Sequence, residues 1–380
     1  MLRISNVALG LGQRLLALLA LMGMGLVTSC TCDRSQDGLS QEAGQGAQDS
    51  SQTAPVKAKT LSLFIWGNYI EPSVLEQFQA RTGITIQESN YDSNEALLAK
   101  VQAGASGFDL AVPSDYMVTI MRGMGLLEEL DQSKIPNRAN LDERFLKKAF
   151  DPENRFSLPY SWTMGGIAVN RTIYQGTVTS WRDLFENPSV YNKFSLLDDV
   201  RETMAAALKL HGFSVNSTKP VELAEAKTTL VNAKKFIKAF NAAPADLIQG
   251  AEVSLAHMYS QEALQAKKAS QGKVEFVLPA EGSVIAIDNL VLLKGAPHPE
   301  EAYAFINFIY ETEVSASNIA KMFTGPVVKG VKEHLPLELQ SEAMLFPSNE
   351  QLARCELLED LGEATADYDR IWAEIKAASH

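Results

Sequence analysis

Strand-like and helix-like segments alternate along the chain beyond its first sixty residues, and this alternation constrains the fold more than any other feature. Residues 61–66 form an apolar run typical of a buried strand, and Pro72 then begins a helical pattern that Gly83 ends. A second strand and helix follow, and residues 109–113 form another strand of the buried type. Strands that alternate with helices favour parallel pairing, so the pattern predicts an α/β chain in which helices cover a sheet.

Several local boundaries are predicted in the same way. Asp92 with Glu95 is expected to form a capping box at the start of the second helix. A crossover between two α/β units is expected near residues 160–166, with a new strand after Gly165-Gly166. Later segments predict helices around residues 201–210, 221–240 and 253–269.

A dense group of charges follows the apolar pair in residues 196–202, where Asp199, Arg201 and Glu202 lie close together. The pattern indicates a strand that turns into a helix N-terminus. Acidic residues at such a position stabilise the helix dipole and cap free N–H groups, so plain capping is one interpretation. The other is a ligand site, because ligands bind at the carboxyl ends of strands in open α/β sheets.

The overall charge and the absence of catalytic motifs exclude several classes of protein. The formal net charge is −12, which argues against a nucleic-acid partner because such binders need basic patches. The five histidines show no paired-ligand spacing, and the chain has no G-x-S-x-G elbow or P-loop. We therefore predict no enzymatic activity, no cofactor and no metal, with a hydrolase as the enzyme alternative.

The N-terminal segment has the features of an export signal. Residues 15–27 are an apolar run that follows positive charge and ends at Thr28-Ser29-Cys30. This ending resembles the lipoprotein box of bacterial secreted lipoproteins, which implies a signal peptide over residues 1–29 and lipidation of Cys30. An ordinary cleaved signal and an uncleaved anchor are the alternatives. Residues 30–59 are small and polar and are expected to form a disordered tether.

Candidate binding residues lie at the predicted carboxyl ends of four strands. Each also fits a structural role: Trp66 as core, Tyr116 as helix surface and Asp288 as a turn residue. Together they suit a ligand with an apolar body and positive ends, because aromatic faces and carboxylates both attract ammonium groups. Arg201 would orient the acids and moderate their repulsion. The set is Trp66, Tyr69, Ser114, Asp115, Tyr116, Asp199, Arg201, Glu202 and Asp288.

A resemblance to a known family covers residues 61–375, essentially the whole body. It rests on the runs 64–70, 93–95, 108–116, 157–160, 179–184 and 198–202. In order and spacing these runs are similar to the spermidine/putrescine-binding proteins of bacterial ABC importers. The resemblance implies a polyamine ligand, held in a cleft between two α/β lobes that a hinge closes. It also implies permease and ATPase subunits as partners.

The resemblance also assigns individual positions, with four departures. It implies that Asp288 holds a secondary amine and that Glu202 helps at an amine. A Thr-Glu pair of the family is Gly67-Asn68 here, so one amine-binding carboxylate is missing, and Asp115 is a candidate to supply it. The other departures are Tyr259, where the family has a tryptophan, Ala286, where it has another aromatic residue, and Phe323, where it has a tyrosine. We count Asn68, Tyr259 and Phe323 among the candidate ligand contacts.

The complete prediction is an exported, lipid-anchored, monomeric solute-binding protein in the periplasm or at the cell surface. Its expected fold is two-lobed and periplasmic-binding-protein-like, with a mixed sheet flanked by helices in each lobe. Lobe 1 would comprise residues 60–165 and 286–330, and lobe 2 residues 166–285 and 331–380. The alternatives are the same fold with another organic cation or small solute, and a sensory or adhesive surface lipoprotein.

Overall fold

The structure is a computed structural model that describes residues 59–104 and 107–378. The predicted signal peptide, Cys30 and the tether up to residue 58 lie outside the described residues. The described chain is a mixed α/β fold in which helices flank a nine-stranded sheet.

The strands form one continuous hydrogen-bonded sheet. They are β1 (Thr60–Trp66), β2 (Thr85–Tyr91), β3 (Leu110–Ala111), β4 (Ser157–Asn170), β5 (Phe194–Leu197), β6 (Ala239–Asn241), β7 (Leu255–Tyr259), β8 (Val274–Val277) and β9 (Ile285–Leu292). Their order is β2-β1-β3-β9-β4-β7-β5-β6, and β8 pairs with β4.

The helices lie between these strands and at the C-terminal end. They are α1 (Pro72–Thr82), α2 (Asn94–Gln102), α3 (Asp115–Gly123), α4 (Arg182–Phe185), α5 (Val200–Leu210), α6 (Pro220–Lys234), α7 (Ala245–Gln249), α8 (Ser260–Ala269), α9 (Pro299–Ile309), α10 (Thr312–Met322), α11 (Leu337–Gln340), α12 (Asn349–Leu352) and α13 (Thr365–Ala377). Short 3-10 helices lie at Gln132–Lys134, Pro136–Asn140, Glu143–Phe145, Pro188–Val190, Val331–His334 and Gly362–Ala364.

The strand pairing is parallel at both ends of the sheet and antiparallel in its middle. Strand β1 runs parallel to β2 and β3, and β5 runs parallel to β6 and β7. Strands β4 and β9 run antiparallel to their neighbours. The predicted mixed α/β fold is confirmed. The parallel pairing that the alternation favours is found only towards the two ends of the sheet, because the chain returns to the first half of the sheet through β9 in the opposite direction.

Strand β4 passes through the whole region where a crossover was expected. It is 14 residues long, and its first part pairs with β9 while the part from Gly165 onward pairs with β7 and β8. The prediction of a new strand after Gly165-Gly166 is therefore wrong. Both glycines stay in the ladder because partners on the neighbouring strands continue to bond their backbone.

Two local predictions are also corrected. Ser93, not Asp92, is the N-cap of α2, and its side chain accepts a hydrogen bond from the backbone N–H of Ala96. The segment 253–269 is not one helix, because Leu255–Tyr259 forms β7 and only the residues after it are helical. Strand β7 lies between β4 and β5, where pairing on both sides outweighs local helix propensity.

Buried apolar side chains gather mainly into two large clusters. The first core packs around β1 and β9 and extends from Leu61 to Leu345. The second core packs around β5, α5 and α6 and also contains Tyr368 and Ile375 of the last helix. The side chains of the two ends of β4 belong to different clusters, with Trp162 in the first core and Ile167 in the second.

None of the helices within the described ranges combines the length and the hydrophobicity needed to span a bilayer.

Candidate functional site

The carboxylate of Asp288, in β9, bonds to two other predicted site residues. Its side chain is buried, with 6% relative exposure. The hydroxyl of Tyr69 donates to Asp288 Oδ2 at 2.6 Å, and the hydroxyl of Ser114 donates to Oδ1 at 2.7 Å. Burial raises the pKa of Asp288, while these two hydrogen bonds oppose the shift. Three of the predicted residues, from the segment after β1, the N-cap of α3 and β9, therefore contact one another.

Tyr69 is fixed by further polar contacts that the sequence did not indicate. Its hydroxyl lies 2.8 Å from Ser161 Oγ, and its backbone carbonyl accepts from the hydroxyl of Tyr160 at 2.8 Å. The side-chain amide of Asn318 donates to the Tyr160 hydroxyl at 2.9 Å. Burial and the Asp288 charge raise the pKa of Tyr69 well above its usual value, so the phenol stays protonated and donates.

Asn94, at the start of α2, organises the residues that follow β3. Its side chain donates to Ser114 Oγ and to the hydroxyl of Tyr116, both at 3.1 Å, and accepts from the Ser114 N–H at 3.2 Å. Tyr116 in turn donates to Glu95 Oε1 at 3.1 Å. Asn94 is therefore a candidate site residue that was not predicted from the sequence, although the Ser93-Asn94-Glu95 run belongs to the motifs of the resemblance.

Asp115 is buried, but both of its carboxylate oxygens bond to backbone. Oδ1 accepts from the N–H of Tyr116 at 2.7 Å, and Oδ2 accepts from the N–H of Ile287 at 3.1 Å. Burial raises the pKa of Asp115 to about 7, against the effect of these two bonds. The carboxylate thus ties the start of α3 to β9, and this argues against its use as a replacement amine ligand.

The acidic stretch at the start of α5 divides into a cap and a buried acid. Asp199 is exposed and is the N-cap, with its side chain accepting from the Glu202 N–H at 2.9 Å. Glu202 is buried, and its Oε2 has no hydrogen-bond partner among the described residues. Burial, followed by the charges of Asp199 and Asp115, raises the pKa of Glu202 well above its usual value. The capping interpretation is confirmed for Asp199, and the ligand-site interpretation stays a prediction for Glu202.

Arg201 points away from the carboxylates that it was expected to orient. Its guanidinium donates to the Glu359 carbonyl at 3.0 Å and to Asn216 Oδ1 at 2.9 Å, and it lies over the ring of Tyr368. Its positive charge still lowers the pKa of Glu202, as one of the smaller influences on that group. Arg201 therefore moderates the acidic group through space and forms no ion pair with it.

The remaining predicted residues are Trp66, Tyr259, Phe323 and Asn68. Trp66 Nε1 donates to the Val112 carbonyl at 3.0 Å, and the half-buried Tyr259 ends β7 at the start of α8. Phe323 ends α10 with a φ of 59°, and the Lys268 ammonium lies 5.1 Å from its ring centroid. Asn68 is exposed in a turn, with a φ of 55°.

Glu262, in the first turn of α8, is an acidic residue that sequence reasoning missed. Its Oε2 is buried without a hydrogen-bond partner among the described residues, and burial raises its pKa to about 7. Its charge contributes to raising the pKa of Tyr259, which places it near the candidate site. Its position three residues after Tyr259, in the turn that follows a strand end, was the available signal.

Cavity size by itself does not identify this site. A cavity of about 560 Å³ is lined by Ile285 and Ile287, which face the opposite side of β9 from Ala286 and Asp288 because side chains alternate along a strand. Within residues 59–104 and 107–378, no group of three or more His, Cys, Asp or Glu residues is arranged to hold a metal ion.

Comparison with known proteins places this arrangement in a family. Residues 73–346 match the bacterial extracellular solute-binding protein family. The chain is 35% identical over 322 residues to the spermidine/putrescine-binding periplasmic protein of Salmonella typhimurium, covering 84% of this chain and 92% of that one. It is 34% identical to the putrescine/cadaverine-binding protein of Pseudomonas aeruginosa, covering 84% and 94%.

Solved structures agree with this assignment. The spermidine/putrescine ABC transporter substrate-binding protein PotD of Streptococcus pneumoniae, solved with calcium and HEPES, superposes with a TM-score of 0.79 at 33% identity, covering 84% of this chain and 98% of that one. The TpPotD lipoprotein of Treponema pallidum gives a TM-score of 0.77 at 29% identity, covering 83% and 99%. The predicted resemblance is confirmed, and the chain belongs to the bacterial extracellular solute-binding proteins.

Proposed function

We propose that this protein captures a polyamine, putrescine or spermidine, and delivers it to the membrane permease of an ABC importer. The proposal joins two kinds of support. Relatives at 34–35% identity are named for spermidine, putrescine or cadaverine binding. The site independently presents buried carboxylates beside aromatic rings, which suits a chain of methylene groups with ammonium ends.

The observation that carries the proposal is the buried pair of acids, Glu202 and Asp288. Neither forms an ion pair with a Lys or Arg side chain within the described ranges, and burial raises the pKa of both. A buried carboxylate without a cation is unfavourable in its charged form. An ammonium group brought by a ligand would supply the missing charge, so these positions favour a cationic ligand over a neutral one.

The remaining residues have simple roles in this proposal. Asp288 receives the secondary amine or a central part of the ligand, and Tyr69 and Ser114 orient its carboxylate through their hydrogen bonds. Trp66 and Tyr259 cover the methylene chain with their rings. Tyr116, Asp199, Asn68 and Phe323 complete the boundary of the site.

Delivery requires partners and a place at the membrane. We propose two lobes that close over the ligand because the ligand contacts both of them. The two cores of the body support this division, and the extension of the first core to Leu345 favours assigning residues 331–345 to lobe 1. We further propose that the chain is an exported monomer without enzymatic activity, anchored through a lipid on Cys30.

Calorimetric titration with putrescine, spermidine, spermine and choline tests the proposal. Binding of one polyamine, without binding of choline, is the expected result. Choline carries a positive charge but no N–H donors on its quaternary nitrogen, so it separates charge attraction from hydrogen bonding. Absence of binding by every polyamine, with folded and ligand-free protein, would contradict the proposal.

A second candidate is another organic cation in the same site. It is favoured by Asn68, which is exposed and uncharged where the family has a carboxylate, and by the half-buried Ala286, which leaves one side of the site without an aromatic ring. A competition panel of amines against the bound ligand separates this candidate from a polyamine.

A further inference from the structure

Three buried polar side chains converge at Gly165, where the absence of a side chain gives them room. A Cβ atom placed on Gly165 would lie 2.8 Å from Glu202 Oε2, 3.0 Å from Ser283 Oγ and 3.6 Å from His257 Nε2. The three come from α5, from the segment before β9 and from β7. We call Glu202, His257 and Ser283 the Gly165 cluster. Any larger residue at position 165 would displace at least one of its members.

His257 is the unexplained member of this cluster. Its side chain has 0% relative exposure, and neither ring nitrogen has a hydrogen-bond partner among the described residues. Leaving a buried polar group unpaired is costly, so such a residue needs an explanation. The ring of Trp181 packs edge-on against the imidazole at a centroid distance of 5.0 Å, which holds the imidazole in place from the other side.

The strand register shows how His257 relates to the candidate site. Tyr259 pairs with Gly165, and His257 pairs with Ile167. Because side chains alternate along a strand, His257 and Tyr259 project from the same face of β7. His257 therefore lies on the face that carries Tyr259, and its Nε2 approaches the same point over Gly165 as the carboxylate of Glu202.

We propose that His257 is a positioning residue for Glu202, and that its Nε2–H donates to Glu202 Oε2 when this carboxylate binds a ligand ammonium group. Ser283 Oγ is the second donor to the same carboxylate. The inference rests on the proposed function, since it explains how the protein holds the Glu202 carboxylate that would bind the cationic ligand. It adds His257, Ser283 and Gly165 to the residues that determine affinity.

The chemistry of a buried carboxylate supports this arrangement. An ionised carboxylate in the interior needs hydrogen-bond donors as well as a counter-ion, and Glu202 Oε2 has no donor at present. Burial lowers the pKa of His257 to about 3, so the imidazole is neutral at physiological pH. A neutral imidazole supplies an N–H without adding a positive charge that would repel the ligand.

Other titratable groups face Glu202 and affect its pKa. They are Asp115 after β3, Asp199 and Arg201 at the start of α5, and the Tyr259 phenol from β7. The His257 variants leave all of these in place. A change in the pH profile between the variants would therefore report on the imidazole.

The test compares His257→Phe with His257→Gln in the full chain, solubilised in detergent and titrated with putrescine and with spermidine from pH 5 to pH 9. Phenylalanine keeps the packing against Trp181 but removes the N–H, and glutamine keeps a donor. We expect His257→Phe to bind about ten- to a hundredfold more weakly at pH 7, the loss typical of a hydrogen bond to a charged group. Its affinity profile should also shift to higher pH, because ionisation of Glu202 becomes less favourable. His257→Gln should recover most of the affinity.

Unchanged affinity and an unchanged pH profile in His257→Phe would overturn the inference. Equal losses in both variants without a pH shift would also overturn it, since they would indicate packing alone. If His257→Phe does not fold, Ser283→Ala tests the inference instead. We expect Ser283→Ala to bind polyamine several-fold more weakly, with its affinity profile shifted to higher pH. Unchanged binding and an unchanged profile would overturn the inference. Failure of the wild type to bind any polyamine would overturn the proposed function together with this inference. If the wild type binds and the variants bind equally well, the inference alone is overturned.

Discussion

The phenolic hydroxyl of Tyr69 donates to Asp288 Oδ2 at 2.6 Å and joins two residues 219 positions apart in the sequence. Ser114 donates to the other oxygen of the same carboxylate. This contact joins the segment after β1, the start of α3 and β9. It also orients the carboxylate in advance, because two neutral donors hold it, and none of the Lys or Arg side chains that the structure describes forms an ion pair with it.

Replacing Asp288 tests this contact. Asp288→Asn keeps the shape, and the two hydroxyls can rotate to pair with the amide, so we expect a small change in melting temperature but a loss of polyamine affinity of about a hundredfold or more. Asp288→Ala should also lower the free energy of unfolding by about 1–3 kcal/mol for each hydroxyl left unpaired. Calorimetric titration and denaturant unfolding measure the two effects.

Asp151→Asn is the matched control for Asp288→Asn. Asp151 is equally buried, and its carboxylate accepts from the N–H groups of Phe156 and Ser157. We expect this variant to lose stability and to keep its affinity for polyamine. Equal affinities of Asp288→Asn and wild type would remove Asp288 from the ligand site.

Asp115 should make the stability of the ligand-free protein depend on pH. Its pKa is raised from 3.8 to about 7 by burial, so the folded state binds the proton more tightly than the unfolded state. Its contribution is therefore fully present below pH 3.8 and is lost as the pH rises to about 7, with a size on the order of 4 kcal/mol. The difference in unfolding free energy between wild type and Asp115→Asn should fall over this range. A difference that stays constant from pH 4 to pH 7 would contradict the assignment.

Asn68 should respond to restoration of the family's carboxylate. Asn68→Glu adds a negative charge at the exposed turn, and we expect roughly tenfold tighter polyamine binding that weakens as salt increases. Asn68→Gln is the control, because it shares the length of glutamate and the strain of a φ of 55° without the charge. Similar affinities of the two variants would show that position 68 does not contact the ligand's charge.

Cys30 is predicted to determine whether the protein stays with the membrane. Cys30→Ala should move the protein from the membrane fraction to the soluble fraction, because the acceptor of the predicted lipid is lost. Cys32→Ala, two residues further on, should leave the protein in the membrane fraction. Immunoblots of fractionated cells measure both, and unchanged partitioning of Cys30→Ala would contradict lipidation at this position.

Local sequence determined those helix and strand boundaries that depend only on residues next to them in the chain. Pro72 and Gly83 begin and end α1 as predicted, since proline favours the first helical turn and glycine adopts the left-handed conformation after the last. The acidic stretch marks the junction of β5 and α5 for a similar reason, because Asp199 caps the helix through its own side chain. The motifs at strand ends were also sufficient to identify the family.

Only the tertiary structure decided how these elements and their side chains meet. Residues 255–259 form strand β7 because they pair with β4 on one side and β5 on the other, and the local sequence does not indicate this pairing. Contacts with other parts of the chain decide two further side chains: Asp115 accepts from the Ile287 backbone, and Arg201 donates to Asn216. Burial raises the pKa of Glu202, and packing at Gly165 brings His257 close to the same point as the Glu202 carboxylate. These outcomes depend on sheet order and on packing, which follow from the whole chain because each contact requires partners that are remote in the sequence.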